Sequence, residues 1–139
     1  MQFVYNDGGR SSIYIGIAGD CVVRAIAIAT DKPYKEVYDE INVLAHGFRA
    51  GSRGRKSGAR NGVYRQVYEP YLKSLGWKWT PTMHVGSGCK VHLQANELPR
   101  GRIIVRLSRH LAAVIDGVVH DTHDPSRNGT RCVYGYFSK

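Results

Sequence analysis

The sequence has no apolar run approaching the roughly 20 residues that a membrane-spanning helix needs. Its first residues also lack the basic-then-apolar pattern of a secretory signal. Cysteine is scarce: there are three, an odd number at irregular spacing, which argues against a disulfide framework. We therefore expect a cytoplasmic protein with reduced thiols and no membrane partner.

Acidic residues are also few. Eleven aspartates and glutamates face 20 lysines and arginines, which gives a formal net charge of +9 over 139 residues. This excess favours association with nucleic acid or with an acidic protein, but charge alone does not choose between them. Aromatic residues are plentiful and the apolar share of 42% is ordinary, so we expect a globular chain with one domain over residues 1–139.

A basic segment interrupts the apolar pattern between about residues 47 and 62. Arginine and lysine alternate there with glycine and serine, and no acidic residue intervenes. Such a segment cannot bury a core, so we predict a mobile basic loop. Its candidate contacts to phosphates or to an acidic surface are Arg53, Arg55, Lys56 and Arg60.

The periodicity of the remaining chain changes from helical to sheet-like near residue 101. The first half predicts a buried helix from Cys21, an amphipathic helix after Pro33 and a third helix over about 61–75. The second half predicts an antiparallel sheet with strands over 102–107, 110–115, 118–122 and 131–137. We also expect a brief strand over 13–15 and a short helix over 91–97. Helices followed by an antiparallel sheet indicate an α+β fold.

Cys21 lies at the first turn of the buried helix, and Asp20 or Gly19 can cap that turn. The partial positive charge of a helix N-terminus favours the thiolate, which is the attacking form of cysteine. The alternative interpretation is that Cys21 is only a small apolar residue of the core.

A cysteine nucleophile needs a base and a group that orients the base. The dipeptide Asp116-Gly117 predicts a two-residue hairpin in which Ile115 faces Val118. In that register Asp121 lies diagonally across from His110, within side-chain reach. Asp116 lies at the far end of the hairpin and is rejected as the orienting group, whereas Asp124 stays in reserve.

Other residues have ligand or binding chemistry. The cysteine and histidine types suit zinc, but their spacings match no common zinc finger or ribbon, so we predict no metal and no cofactor. Arg106 and Arg109 flank the predicted site and are candidates for holding an acidic group of a substrate; the alternative is that they are ordinary solvent-facing positions. The residues weighed for zinc are Cys89, His92, His120, His123 and Cys132.

Three features together resemble the papain-like cysteine peptidase fold, and most closely the small bacterial and bacteriophage proteins similar to C39 peptidases. These are Asp20-Cys21 opening a buried helix, a later Gly-x-x-Ile-Val strand, and the two segments His110-x-x-Ala-Val-Ile-Asp-Gly and His120-Asp121-Thr122. The resemblance implies a triad of Cys21, His110 and Asp121 that cleaves a peptide, isopeptide or related amide bond. It also implies a host-cytoplasmic location if the protein is phage-encoded.

The sequence departs from this family at one point. Such enzymes usually have a glutamine shortly before the cysteine, donating to the oxyanion, and residues 13–20 contain none. The Cys21 backbone N–H supplies one donor, and Asn6, Ser11 and Ser12 stay open as sources of the second. The alternative function is a catalytically weak or inactive scaffold that binds a host protein or nucleic acid through the basic loop.

Overall fold

The computed structural model describes residues 1–12, 20–46, 65–84 and 86–139. Three α-helices lie in these ranges, and α1 is the most buried of them. It runs over Cys21–Thr30, and every residue from Val22 to Ala29 is buried. The helix has no polar face because the sheet covers one side and α2 packs against another. The predicted buried helix beginning at Cys21 is therefore confirmed.

The other two helices lie on the surface of the fold. Helix α2 spans Tyr34–His46 directly after Pro33, and α3 spans Arg65–Ser74 and continues through Pro70. Each buries one apolar stripe, in agreement with the predicted amphipathic pattern. The first four residues predicted for the third helix, 61–64, lie outside the described residues, as do the basic segment 47–62, the strand over 13–15 and Gly19.

A six-stranded mixed sheet forms the other half of the fold. Its spatial order is β1-β6-β5-β4-β8-β2, and β1 runs parallel to β6 while the other neighbours are antiparallel. A separate two-stranded ribbon pairs β3 with β7. The strands are β1 (Gln2–Tyr5), β2 (Lys78–Pro81), β3 (Val91–His92), β4 (Arg102–Leu107), β5 (His110–Ile115), β6 (Val118–Asp121), β7 (Cys132–Val133) and β8 (Gly135–Ser138).

The sheet is covered on both faces. Ile104 of β4 packs with the three helices, whereas its neighbours Ile103 and Val105 join a second apolar cluster on the opposite face, as strand alternation requires. The second cluster is closed by residues of the ribbon and its flanking turn, among them Leu93 and Val133. This double burial explains why the central strands are continuous apolar runs.

The β5–β6 hairpin has the register that the sequence predicts. Ile115 pairs with Val118, and Asp116 and Gly117 form the turn with φ values of 49° and 79°. Two positive φ values match a turn whose twist suits a hairpin. Strand β5 begins at His110 and β6 ends at Asp121, so the hairpin carries both residues at the end opposite its turn.

Three expectations about the fold are wrong. The sheet is mixed rather than antiparallel, because the N-terminal segment Gln2–Tyr5 adds a parallel strand. Residues 91–97 form a two-residue strand and the 3-10 turn Ala95–Glu97 instead of one short helix. Cys89 and Cys132 form a disulfide with a Cα–Cα distance of 5.8 Å, so not all thiols are reduced. Local periodicity contains no information on which distant segments pair.

Candidate active site

The structure brings Cys21, His110 and Asp121 together at one end of the sheet. Nε2 of His110 lies 2.6 Å from Oδ2 of Asp121, and the imidazole is close enough to the Cys21 sulfur for the two groups to shift each other's pKa. Because Asp121 occupies Nε2, the ring nitrogen left for the sulfur is Nδ1. The thiol, base and carboxylate therefore form an ordered chain of the kind that activates a nucleophile.

The electrostatics favour a charged thiolate–imidazolium pair. Burial tends to raise the pKa of Cys21, but the hydrogen bond and charge of His110, with help from the Leu111 backbone N–H and Arg24, bring that pKa below its ordinary value. Burial tends to lower the pKa of His110, yet its bonds to Asp121 and Cys21 raise it to about 9. At neutral pH the imidazole is therefore protonated, and its charge favours the thiolate form of Cys21.

Asp121 is held as an anion although only 3% of its side chain is exposed. Burial tends to raise its pKa, but the hydrogen bond and charge of His110, the Thr122 backbone N–H at 2.7 Å and the charge of Arg24 lower it overall. Of the other two acids considered for this position, Asp116 accepts from Gly101 N–H at the far turn and Asp124 from Ser126 N–H in its own loop.

A buried ionic network lies behind the triad. Arg24 pairs with Asp20 one helical turn earlier and with Asp121 Oδ1 at 3.4 Å. The hydroxyl of Tyr34 donates to Asp20 Oδ2 at 2.5 Å, and Arg10 Nε lies 3.3 Å from the same oxygen. The carboxylate of Asp20 thus makes no capping hydrogen bond to α1, and Gly19, the other residue considered as a cap, lies outside the described residues.

Sequence reasoning missed Arg24 because it was read as part of an apolar helix. Two signals could have found it: Arg24 is the one charged residue between Cys21 and Thr30, and it lies four residues after Asp20. An arginine that is 8% exposed must be paired, since an unpaired buried charge is very costly. The spacing of four identifies Asp20 as its first partner.

A cleft of about 360 Å³ opens over Cys21 and His110. Tyr68, Leu107 and Tyr134 form part of its wall, in agreement with the mostly apolar lining of ligand sites. The flanking arginines Arg106 and Arg109 both line the cleft, as does Arg65, which sequence reasoning did not select.

Two of the candidates for the second oxyanion donor, Asn6 and Ser11, hydrogen-bond to residues outside the triad. The Asn6 amide accepts from Gly8 N–H at 2.8 Å and lies 3.4 Å from His120 Nδ1, so it is engaged beside the end of β6. Ser11 donates its backbone N–H to Asp7. The second oxyanion donor thus stays a prediction without an assigned residue. The basic candidates Arg53, Arg55, Lys56 and Arg60 lie outside the described residues.

One group among the described residues has side chains that could hold a metal ion, but it shares two residues with the triad. His110, Asp121 and His123 offer ligand atoms within 4.8 Å of one another. A metal at His110 would have to displace the proton that the ring holds, because the pKa of His110 is raised to about 9. The disulfide consumes Cys89 and Cys132, so neither thiol of the zinc set considered from the sequence is available to a metal in this structure.

Comparison with known proteins identifies no relative. No protein-family model matches the chain, and no curated protein or solved structure is significantly similar to it. Within the ranges that the structure describes, no helix is long and apolar enough to cross a membrane. The functional interpretation therefore depends on the geometry and chemistry of the site.

Proposed function

We propose that this protein is a papain-like thiol hydrolase that cleaves a peptide, isopeptide or related amide bond. The observation that supports the proposal is the chain of contacts from the Cys21 thiol through His110 to Asp121, 2.6 Å from the ring. A pair with lowered thiol pKa and raised imidazole pKa, below a cleft, is the arrangement expected of an activated cysteine.

The reaction has two stages. In the first, the Cys21 thiolate attacks the amide carbonyl carbon, the C–N bond breaks, and His110 gives its proton to the leaving amine. In the second, His110 takes a proton from water, the resulting hydroxide attacks the thioester, and the carbon–sulfur bond breaks. Asp121 holds the ring in one orientation and stabilises its charged form during both stages.

The test is covalent labelling by a peptidyl vinyl sulfone, followed by intact mass. Of the three cysteines only Cys21 is free, so an adduct on the non-reduced protein reports on this residue. Cys21→Ala should abolish the adduct. His110→Gln should slow labelling by about 100-fold or more, because general-base assistance and the charge that stabilises the thiolate are both lost.

His84→Gln is the matched control, because His84 is exposed in a loop and does not line the cleft. It should label at the wild-type rate. Equal rates for wild type and His110→Gln, with both proteins folded, would contradict the proposed mechanism. That outcome would favour the alternative of an inactive scaffold that binds a host protein or nucleic acid.

The proposed place of action is the cytoplasm, or the host cytoplasm if a phage encodes the protein. The Cys89–Cys132 bond weighs against this location, since disulfides persist mainly in oxidising compartments. Counting free thiols in protein isolated from cells under acid quench would test it. A fully reduced pair would support the cytoplasmic proposal.

A further inference from the structure

The charges of the triad and of the network behind it are balanced. Three cations face three anions, and all six are linked by the contacts described above. The cations are Arg10, Arg24 and the protonated His110, and the anions are Asp20, Asp121 and the Cys21 thiolate. The catalytic machinery therefore adds no net charge to the cleft, whose potential depends on its other ionisable residues.

Arg65 is balanced as well. Its Nε lies 2.6 Å from Oε2 of Glu69, one helical turn later, and its guanidinium lies 5.1 Å from the ring centroid of Trp79. These contacts fix the guanidinium against α3 and β2. Arg65 therefore forms part of the cleft wall, but its charge is already compensated by Glu69.

Arg106 and Arg109 are different, because neither makes an ion pair with any residue that the structure describes. Arg106 is half-buried on β4, close enough to Tyr68 for its charge to oppose the rise in that tyrosine's pKa. Arg109 is exposed in the turn that precedes His110, with a left-handed φ of 56°. Two uncompensated cations thus line the same cleft as Cys21.

We infer that the cleft selects a substrate with a carboxylate next to the amide bond that is cleaved. This inference rests on the proposed function and adds the substrate class to it. A guanidinium is always charged and presents N–H groups in a fork that matches the two oxygens of a carboxylate. The carboxylate is supplied by an acidic side chain or by a free peptide C-terminus.

The first test compares two alkylating reagents of nearly equal size at Cys21. Iodoacetate carries a carboxylate and iodoacetamide does not, so the ratio of their rate constants measures how strongly the cleft favours the anion. The double variant Arg106→Gln/Arg109→Gln should lower this ratio by about 3- to 10-fold, and added salt should reduce the wild-type ratio. The double lysine variant keeps the charge and should retain most of the ratio.

Lys78→Gln is the control for loss of a positive charge away from the cleft, since Lys78 is an exposed residue of the edge strand β2 and does not line the cleft. It should leave the ratio unchanged. An unchanged ratio in the double glutamine variant, or an equal decrease in Lys78→Gln, would overturn the inference. Because iodoacetamide reactivity is measured separately, such a result is distinct from a failure of Cys21 activation.

The second test separates the two sources of the carboxylate by protection of Cys21 against iodoacetamide. N-acetylglutamate α-amide has only the side-chain carboxylate, N-acetylglutamine has only the α-carboxylate, and N-acetylglutamine amide has neither. At least one charged probe should protect at a concentration about 10-fold lower than the neutral probe, and the double glutamine variant should remove that difference. Equal protection by all three probes would overturn the inference.

Discussion

Arg24 donates from its guanidinium to Oδ1 of Asp121 over 3.4 Å and thereby links the helix that carries Cys21 to the strand that carries the acid of the triad. The two residues are 97 positions apart in the chain. Since Arg24 also binds Asp20, one buried cation is shared between two buried carboxylates, each of which has a second cationic partner in Arg10 or His110. The position of the nucleophile relative to its base therefore depends on an ionic contact as well as on apolar packing.

Arg24→Met should destabilise the protein by about 3–5 kcal/mol, because it leaves the buried carboxylates Asp20 and Asp121 with one cation fewer than the network needs. It should also shift the pH profile of Cys21 alkylation to higher pH, since the Arg24 charge helps to lower the pKa of the thiol. Urea unfolding at pH 7 and alkylation by iodoacetamide from pH 5 to 10 measure the two effects.

Two further variants separate this interpretation from a general loss of packing. Arg24→Met/Asp20→Asn should recover part of the lost stability, because removing one anion together with the cation restores the balance of buried charges. Lys35→Met breaks the exposed Lys35–Asp39 pair and should cost less than about 1 kcal/mol. Equal losses of stability for Arg24→Met and Lys35→Met would refute the role of Arg24.

The hairpin that carries His110 and Asp121 was predictable because its information is local. A two-residue turn fixes the register of β5 and β6, and the register fixes which residues meet. The start of α1 at Cys21 was predictable for a similar reason, since a residue type common at helix starts precedes an apolar run, although the Asp20 carboxylate binds Arg24 instead of capping the helix. These two local patterns predict that Cys21 begins a helix and that His110 and Asp121 lie at the same end of a hairpin.

The network behind the triad and the disulfide were not predictable from local patterns. The pairing of Gln2–Tyr5 with β6 joins segments more than 100 residues apart, and no periodicity encodes that choice. The same holds for Arg24, whose second partner is known only once the sheet is assembled. The prediction of reduced thiols from cysteine spacing was also wrong, because Cys89 and Cys132 come together only through the pairing of β3 with β7.

The pH dependence of stability should differ between the wild type and Cys21→Ser. In the native wild type the proton lies on His110, whose pKa is raised to about 9, and in the unfolded chain it lies on the thiol. Above pH 6.5, and above the lowered Cys21 pKa, the Cys21–His110 pair holds about one proton in both the native and the unfolded protein. The pair should therefore add little to the slope of the free energy of unfolding against pH until about pH 9.

Cys21→Ser removes the compensating thiol from the unfolded chain. His110 keeps Asp121 as a partner, so its native pKa should stay above 6.5. The bond between protonated His110 and Asp121 therefore stabilises the native state fully below pH 6.5. This stabilisation is lost as the pH rises through the native pKa of His110. Urea unfolding at pH 6, 7.5 and 9 should show that the free energy of unfolding of Cys21→Ser falls more steeply with pH than that of the wild type. An equal fall with pH in the two proteins would contradict the ion pair.

The disulfide predicts a definite count of reactive thiols. Unfolded in denaturant without reductant, the protein should take up one iodoacetamide per chain, and after reduction it should take up three. Cys132→Ser should lower the free energy of unfolding by up to about 4 kcal/mol, because it opens a loop closed over a separation of 43 residues. Three reactive thiols before reduction would exclude the bond.

Gly135→Ala should destabilise the protein by about 1–3 kcal/mol through overpacking. Gly135 lies on β8 between Pro81 of β2 and Arg106 of β4, and a methyl group there would overlap the indole ring of Trp79 and approach the Thr80 carbonyl oxygen to 2.8 Å. Backbone strain is not the reason, because the glycine has no positive φ. Urea unfolding measures the loss.

Ser138→Ala, on the same strand, is the control and should change stability by less than about 0.5 kcal/mol. Trp79→Leu shortens the side chain that blocks the methyl group, so Gly135→Ala should cost less in that background than in the wild type. Because Gly135 pairs directly with Arg106, the crowded strand should also displace this arginine and lower the preference of Cys21 for iodoacetate over iodoacetamide. If the losses of stability caused by Gly135→Ala and Trp79→Leu simply added in the double variant, the indole ring would not be what requires glycine at this position.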